Sequence, residues 1–395
     1  MTAARLPAGL LVAACALLVT WGAGCGGGSG SQATTAPAPA TAPAATTTTT
    51  TTPPATRPIR HVFVVVLENE DAGTTFGAGS PAPYLATTLR RLGAFVPSYY
   101  GIGHHSLGNY LAMVSGQSPT LVTQADCPIF LDVRPGTPAP DGQVRGQGCV
   151  YSAATLTVAD QLEAEGLTWK GYMEDMGDDP SRDGGTACAH PAIGARDAAQ
   201  VATATDQYAT RHNPFVYFHS IIDRPADCAA RDVPLTALAG DLAHVDTTPN
   251  LAFVTPDLCH DGHDATCADG SPGGLPAADA FLRSWVPRIT GSPAFRQDGL
   301  LVIAFDEGGA DAAACCGERH GPNTPAPGGL SGGPGGGRTG AVLLSPSIRP
   351  GTTTTEAYNH YSLLRSIEDL FGLAHLGYAG APGLRPFGDD VFTAR

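Results

Sequence analysis

Short, unbroken apolar runs rich in Val, Ile and Phe recur along the chain, separated by longer stretches in which apolar positions return every three or four residues. The runs are His61–Leu67 (HVFVVVL), Leu167–Tyr172, Pro214–Phe218, Asn250–Thr255, Leu300–Phe305 (LLVIAF) and Ala341–Leu344. Continuous rather than alternating hydrophobicity marks strands covered on both faces, so each run reads as a strand of a largely parallel sheet. The stretches between them predict helices over Pro83–Leu92, Ser106–Ser115, Val158–Glu165, Arg196–Thr210, Leu235–Val245, Ala277–Ile289 and Tyr358–Phe371. Strands and helices alternating in this way define an α/β fold with helices on both faces of the sheet. Gly321–Gly340 is rich in Gly and Pro, has little to pack, and predicts a mobile surface loop.

The pattern also divides the chain. Residues 1–24 carry a single Arg5, an apolar stretch from Leu10 to Trp21 too short to span a bilayer, and small residues leading to Cys25, which together read as an export signal. The Gly-Ala-Gly-Cys ending resembles a lipoprotein cleavage site, with Gly22 where an aliphatic residue is usual; lipidation of Cys25 and ordinary secretion both stay open. Residues 25–56, with the unbroken Thr46–Thr52 run, offer no large apolar side chain to bury and predict a disordered linker. Residues 57–395 then form one large catalytic domain.

Net charge is −14 over 395 residues, which argues against nucleic acid as a partner. Ten cysteines are present. Setting aside Cys15 and Cys25 leaves an even number in an exported chain, where disulfides are expected. Neighbour spacing favours Cys127–Cys149, Cys188–Cys228 and Cys259–Cys267, while Cys315 and Cys316 either bridge each other or pair elsewhere.

In an open parallel sheet ligands bind beyond the carboxyl ends of the strands, and here those ends are polar. HVFVVVL runs into Glu68-Asn69, LLVIAF into Asp306-Glu307, Phe215–Phe218 into His219, and Asn250–Thr255 into Asp257, His260, Asp261 and His263. Acid pairs directly after buried strands are unfavourable unless a cation lies between them. Ser106 opens a helix after a glycine-containing turn. A serine there is an ordinary cap, but it is also well placed as a nucleophile toward an anionic ester, because the free N–H groups and the positive dipole end favour negative charge. Asn109, one turn later, can donate its amide to a phosphate oxygen.

HVFVVVLENED, HHSLGNYLAMVSG, HNPFVYFHSI, TPDLCHDGHD, LLVIAFDEGG and YNHYSLLRSIEDLFGL follow one another in this order. The series resembles the bacterial phosphoesterase family of acid phosphatases and phospholipases C within the alkaline-phosphatase superfamily, over about residues 58 to 390. The resemblance implies an alkaline-phosphatase-like fold, a metal held by Glu68, Asn69, Ser106, Asp306 and Glu307, and phosphorylation of Ser106. It further implies that His219 and His263 touch the transferring phosphoryl group, with Asn109, His104 and His360 as substrate contacts. His105 and Gly108 stand where the family has prolines. Asp257, His263 and His360 offer an alternative, a second metal site.

The expectation is therefore an exported hydrolase of phosphate esters acting through a phosphoserine. Its divalent ion (Ca, Mg, Mn or Zn) is left open by the hard oxygen ligands, and a membrane tether would run through Cys25. A phosphomonoesterase is favoured over a phospholipase C or other phosphodiesterase, because no long C-terminal extension follows. A Ser-His-Asp esterase is disfavoured by the missing G-x-S-x-G turn, and a catalytically silent surface-binding module by the intact Ser106, Asp306 and Glu307.

Overall fold

In the computed structural model residues 58–326 and 333–393 are described. The export signal, Cys25 and the linker lie outside the described residues, as does the middle of the Gly-rich segment. Eight strands form the main sheet: β1 His61–Leu67, β2 Ala94–Val96, β3 Trp169–Met173, β4 Asp232–Pro234, β5 Leu251–Thr255, β6 Gly299–Phe305, β7 Ala341–Leu344 and β8 Thr352–Thr353. Their order across the sheet is β8-β2-β7-β6-β1-β5-β3-β4. Only β7 runs against its neighbours, β2 and β6; the other pairings are parallel. The α/β expectation stands.

Continuous hydrophobicity in β1 and β6 has the expected cause. Val62, Val64 and Val66 enter one core, with Leu300, Val302 and Ala304 beside them, while Phe63, Val65 and Leu67 enter the core on the other face with Leu301, Ile303 and Phe305. The first face is covered by α1 (Ser106–Ser115), α2 (Val158–Ala164) and α5 (His360–Phe371), the second by α3 (Gly274–Gly291) and α4 (Pro293–Asp298). Local signals fix the helix ends. Thr157 and Asp160 form a capping box on α2, the Asn359 side chain accepts from Ser362 N–H to start α5, and Gly116 and Gly372 end α1 and α5 in the left-handed region.

Two expected elements are absent. Pro214–Phe218 is a buried 3-10 turn over Pro214–Tyr217, not a strand, and the sheet position beside β3 is taken by β4. A short buried apolar run looks the same in either setting. Arg196–Thr210 is no helix either. Asp197 and Asp206 accept from Ala199 N–H at 2.9 Å and Tyr208 N–H at 3.1 Å, and such local side-chain bonds compete with the helical ladder. Leu235–Val245 shortens to Leu235–Ala237 and Leu238–Asp241.

Cys127–Cys149, Cys188–Cys228 and Cys259–Cys267 are bonded, and Cys315 bonds its neighbour Cys316. The described ends of the Gly-rich segment are pinned, with Gly337 N–H on the carbonyl of Ala313 at 2.9 Å.

Candidate active site

Parallel pairing of β1 and β6 in the register Leu67 to Phe305 sets Glu68 beside Asp306 at the carboxyl edge of the sheet. Asp306 Oδ1 accepts from the N–H groups of Asn69 (3.0 Å) and Glu307 (2.6 Å). The Asn69 amide donates to Glu68 Oε2 at 2.9 Å, and Asn69 itself sits at φ 55°, in the left-handed region that asparagine tolerates.

Ser106, the first residue of α1, faces this pair. Its hydroxyl donates to Glu68 Oε2 at 2.7 Å, and Tyr110, one turn on, donates to Glu68 Oε1 at 2.7 Å. Asn109 locks the turn that delivers the serine. Its carbonyl oxygen accepts from the N–H groups of Ile102 (2.7 Å) and Gly103 (3.1 Å), and its amide donates to Glu307 Oε2 at 3.0 Å. Gly101 must be glycine here, because a Cβ would meet the carbonyl oxygen of Asp306 at 2.6 Å. His105, just before the serine, is held at φ 79°, a strained conformation of the kind that gathers at functional sites. Asp126 braces it, accepting from Leu107 N–H at 3.1 Å and facing His105 Nδ1 at 3.6 Å.

Glu68, Asn69, Ser106, Asn109, Asp306 and Glu307 are thus brought together, and His104 joins them with Nδ1 3.4 Å from Glu307. Elsewhere the expected residues diverge. His360 is fully buried behind the cluster, bonded to the Tyr99 hydroxyl at 3.0 Å and to the main-chain carbonyl of Asp306. Burial lowers its pKa to about 4, so it is a neutral brace. His263 is exposed at the rim, its N–H on Asp261 at 2.9 Å. The ring nitrogens of His219 bond Asp132 (3.1 Å) and Asp223 (2.9 Å), residues outside the cluster. Burial opposes its protonation, but these two carboxylates prevail and raise its pKa.

His212 was not singled out from the sequence, and Asp261 was noted only among the polar residues that follow Thr255. His212 stacks on Tyr110 with ring centroids 5.2 Å apart and places Nε2 3.4 Å from Glu68. Asp261, whose carbonyl accepts from Glu68 N–H at 2.8 Å, lies 3.9 Å from the other ring nitrogen of His212. The signal existed, since His212 opens the HNPFVYFHSI motif. Reading Pro214–Phe218 as a strand directed attention to His219 at its far end instead.

Four carboxylates are now buried within one site. Burial first, then repulsion from Asp306 and Asp261, raises the pKa of Glu68; burial and then Glu307 raise that of Asp306. Burial also lifts Asp261 and takes Glu307 to about 8. His212 is pushed the other way by burial, then by Arg211 and His263. Asp306 Oδ2 and Asp261 Oδ2 are buried without any hydrogen-bond partner. Orphaned carboxylate oxygens beside mutually repelling acids are the arrangement a hard divalent cation satisfies, so these residues fit a metal.

The phosphoesterase family model matches residues 82–374. The chain belongs to the phosphoesterase family. It is 24% identical over 295 residues to a phosphate-repressible acid phosphatase of Penicillium chrysogenum, covering 73% of this chain and 54% of the relative. To a phosphatidylinositol-3-phosphatase of Mycobacterium tuberculosis it is 25% identical over 319 residues, 81% of this chain and 79% of the relative. The chain thus spans about half the length of its fungal relatives. Among solved structures, a protein of the alkaline phosphatase superfamily from Vibrio parahaemolyticus overlaps 84% of this chain and 72% of its own at 11% identity and a TM-score of 0.44.

Proposed function

We propose that this member of the phosphoesterase family is an exported, metal-dependent phosphomonoesterase that works through a phosphoserine at Ser106. The observation that carries the reading is the Ser106 hydroxyl, at the start of α1, donating to Glu68 inside a buried set of acids with orphaned oxygens. Relatives named acid phosphatases support the substrate class.

Glu68, Asn69, Ser106, Asp306 and Glu307 would hold the cation, which is Ca, Mg, Mn or Zn. Its chemistry is to neutralise the acids and favour the serine alkoxide. The Ser106 proton passes to Glu68, and the serine oxygen attacks phosphorus as the alcohol leaves. Charge spreading onto the phosphoryl oxygens is met by the N-terminus of α1 and by His104, with His212 taking the part first expected of His219. His263, at the rim, gives the leaving alcohol its proton. Water then cleaves the phosphoserine. Four disulfides and the signal-like N-terminus support export, with Cys25 as the candidate tether. Among the described residues no helix is long and apolar enough to cross a membrane.

The test is a panel of phosphomonoesters, phosphodiesters and phosphatidylcholine with each divalent metal in turn, together with acid quenching and peptide mass spectrometry. Phosphate on Ser106 and a preference for monoesters are expected. Turnover without phosphate on Ser106 in any quenched sample refutes the mechanism.

A further inference from the structure

Four exposed aliphatic side chains lie on segments bonded to the turn that carries Ser106. Ile129 is 45% exposed, Leu131 40%, Ile193 45% and Val201 72%. They lie on two hydrogen-bonded segments: Phe130 N–H bonds the carbonyl of Ala195 at 2.9 Å, Gly194 N–H that of Phe130 at 2.7 Å, and Asp197 N–H that of Pro128 at 3.1 Å. Phe130 between Ile129 and Leu131 is fully buried, whereas those two side chains are exposed. The segments are tied to the site through Asp126, whose carboxylate braces Leu107 and His105 while its carbonyl accepts from Gln200 at 2.6 Å.

Few charges lie on these two stretches. Across residues 121–132 and 192–202 the ionic side chains are Asp126, Asp132, Arg196 and Asp197. Asp126 faces His105, Asp132 is paired with His219 and Arg134, and Asp197 is buried. Arg196 is the exposed one. On a chain of net charge −14, the one exposed charge within these stretches is positive, with Arg134 and Asp223 exposed beyond Asp132 and His219.

We propose that Ile129, Leu131, Ile193 and Val201 seat the mouth of the active site on a zwitterionic phospholipid surface, with Arg196 meeting headgroup phosphates. Separate aliphatic tips on loops suit a fluid interface, which moulds around each of them, and exposed apolar groups rimmed by a basic residue are what such an interface takes up. The chain outside the structure favours the same occupant. The described residues begin at Pro58, on the amino side of β1 and so opposite the catalytic edge. Between Cys25 and Pro58 a fully extended chain reaches at most about 120 Å, against a domain about 50 Å across. A tether at Cys25 can therefore reach round the domain but cannot by itself turn the site toward the membrane; the patch supplies that orientation. The inference rests on the proposed site only for what the patch surrounds, and its test needs no turnover.

The full chain carrying Cys25→Ser, so that no lipid anchor contributes, is sedimented with sucrose-loaded phosphatidylcholine vesicles. Partitioning is expected to fall at least about tenfold in the triple variant Ile129→Ser/Leu131→Ser/Val201→Ser and to stay unchanged in Leu92→Ser, an exposed leucine elsewhere. Hydrolysis of a small soluble phosphate ester and the unfolding midpoint should match the parent in both, which separates failure of this proposal from failure of the phosphoesterase reading. Equal partitioning of parent and triple variant overturns the proposal. So does a parent dimer, seen by light scattering, that the triple variant converts to monomer while vesicle partitioning is unaltered, since the occupant would then be a second copy.

Discussion

Two of the groups of buried acids in this domain are treated in opposite ways. Asp183 and Asp206 are fully buried around Arg182, whose Nη1 lies 2.7 Å from each while Nη2 donates to the carbonyls of Val201 and Tyr208. Their remaining oxygens accept from the N–H groups of Gly177 and Asp179 at 2.8 and 2.7 Å. All four carboxylate oxygens there have partners from within the chain. Glu68, Asp261, Asp306 and Glu307 are as deeply buried, yet Asp261 and Asp306 each keep an oxygen with none. The carboxylates of the first group are closed and hold the fold, with Arg182 Nε as its one buried atom without a partner. The second is left open toward something from outside, and evolution of a mere scaffold would have closed it too.

The largest expected effect is at the open group. Ser106→Ala should lower turnover of an activated phosphate ester by at least about a thousandfold, while the unfolding midpoint stays close to that of the parent, because the serine side chain makes one hydrogen bond and lies at a helix start. Activity within tenfold of the parent removes Ser106 as the nucleophile and with it the reason for calling this group open.

A reciprocal pair of variants sharpens the contrast. Arg182→Ala strands two buried carboxylates and should cost about 3–5 kcal/mol of stability by urea unfolding, with kcat of the folded fraction little altered. Asp306→Asn should do the reverse. Turnover and metal content fall by about a hundredfold or more, whereas chelator-treated protein gains stability, since one of four repelling acids is gone. Chelation of the parent should silence it. Full activity with no metal by elemental analysis would show that the open group does not need a cation.

Next in size, His212→Ala should reduce kcat by about a hundredfold and His219→Ala by less than about threefold, as His219 bonds only Asp132 and Asp223. Equal defects would erase the distinction between the two ends of the HNPFVYFHSI segment.

That segment also shows where sequence reasoning succeeds and fails. β1 and β6 were legible because their six-residue apolar runs are rich in Val, Ile and Phe and too short for a core helix, and the register of their pairing sets Glu68 beside Asp306. Ser106 and Asn109 were legible because a helix start has its own chemical signature. His212 was not, and Asp261 was named only as one of several polar residues at a strand end, because what brings the two to Glu68 is a set of 3-10 turns and a closed loop whose paths depend on tertiary contacts rather than on period. His360 was found but its surroundings were not: no spacing shows that its ring bonds a main-chain carbonyl. The short strand β4 escaped notice because Asp232–Pro234 has no apolar run at all.

A third treatment of a buried acid gives the smallest prediction. Glu368 in α5 is fully buried, accepts from Leu376 N–H at 2.8 Å through Oε1, and has no partner for Oε2. Burial raises its pKa to about 8, with Asp369 adding to the rise and the Leu376 N–H and Arg365 opposing it. Here the acid is satisfied neither by an arginine nor by a cation but by keeping its proton. In the unfolded chain Glu368 releases that proton near the ordinary value of about 4.3, so between there and about 8 the folded state binds more protons than the unfolded one. Stability must then fall as pH rises through this window, the contribution being complete at its acid end and lost at its alkaline end. Relaxation and water entry should leave roughly 1 kcal/mol of it in measured curves. Glu368→Gln keeps the shape and the N–H acceptor without the titration, so its urea midpoint should be flatter between pH 4.5 and 8 (about one unit either way) than that of the parent. A parent profile of equal slope would mean that Glu368 is ionised in the fold, and that this domain closes the acid with a partner of its own, as it does around Arg182.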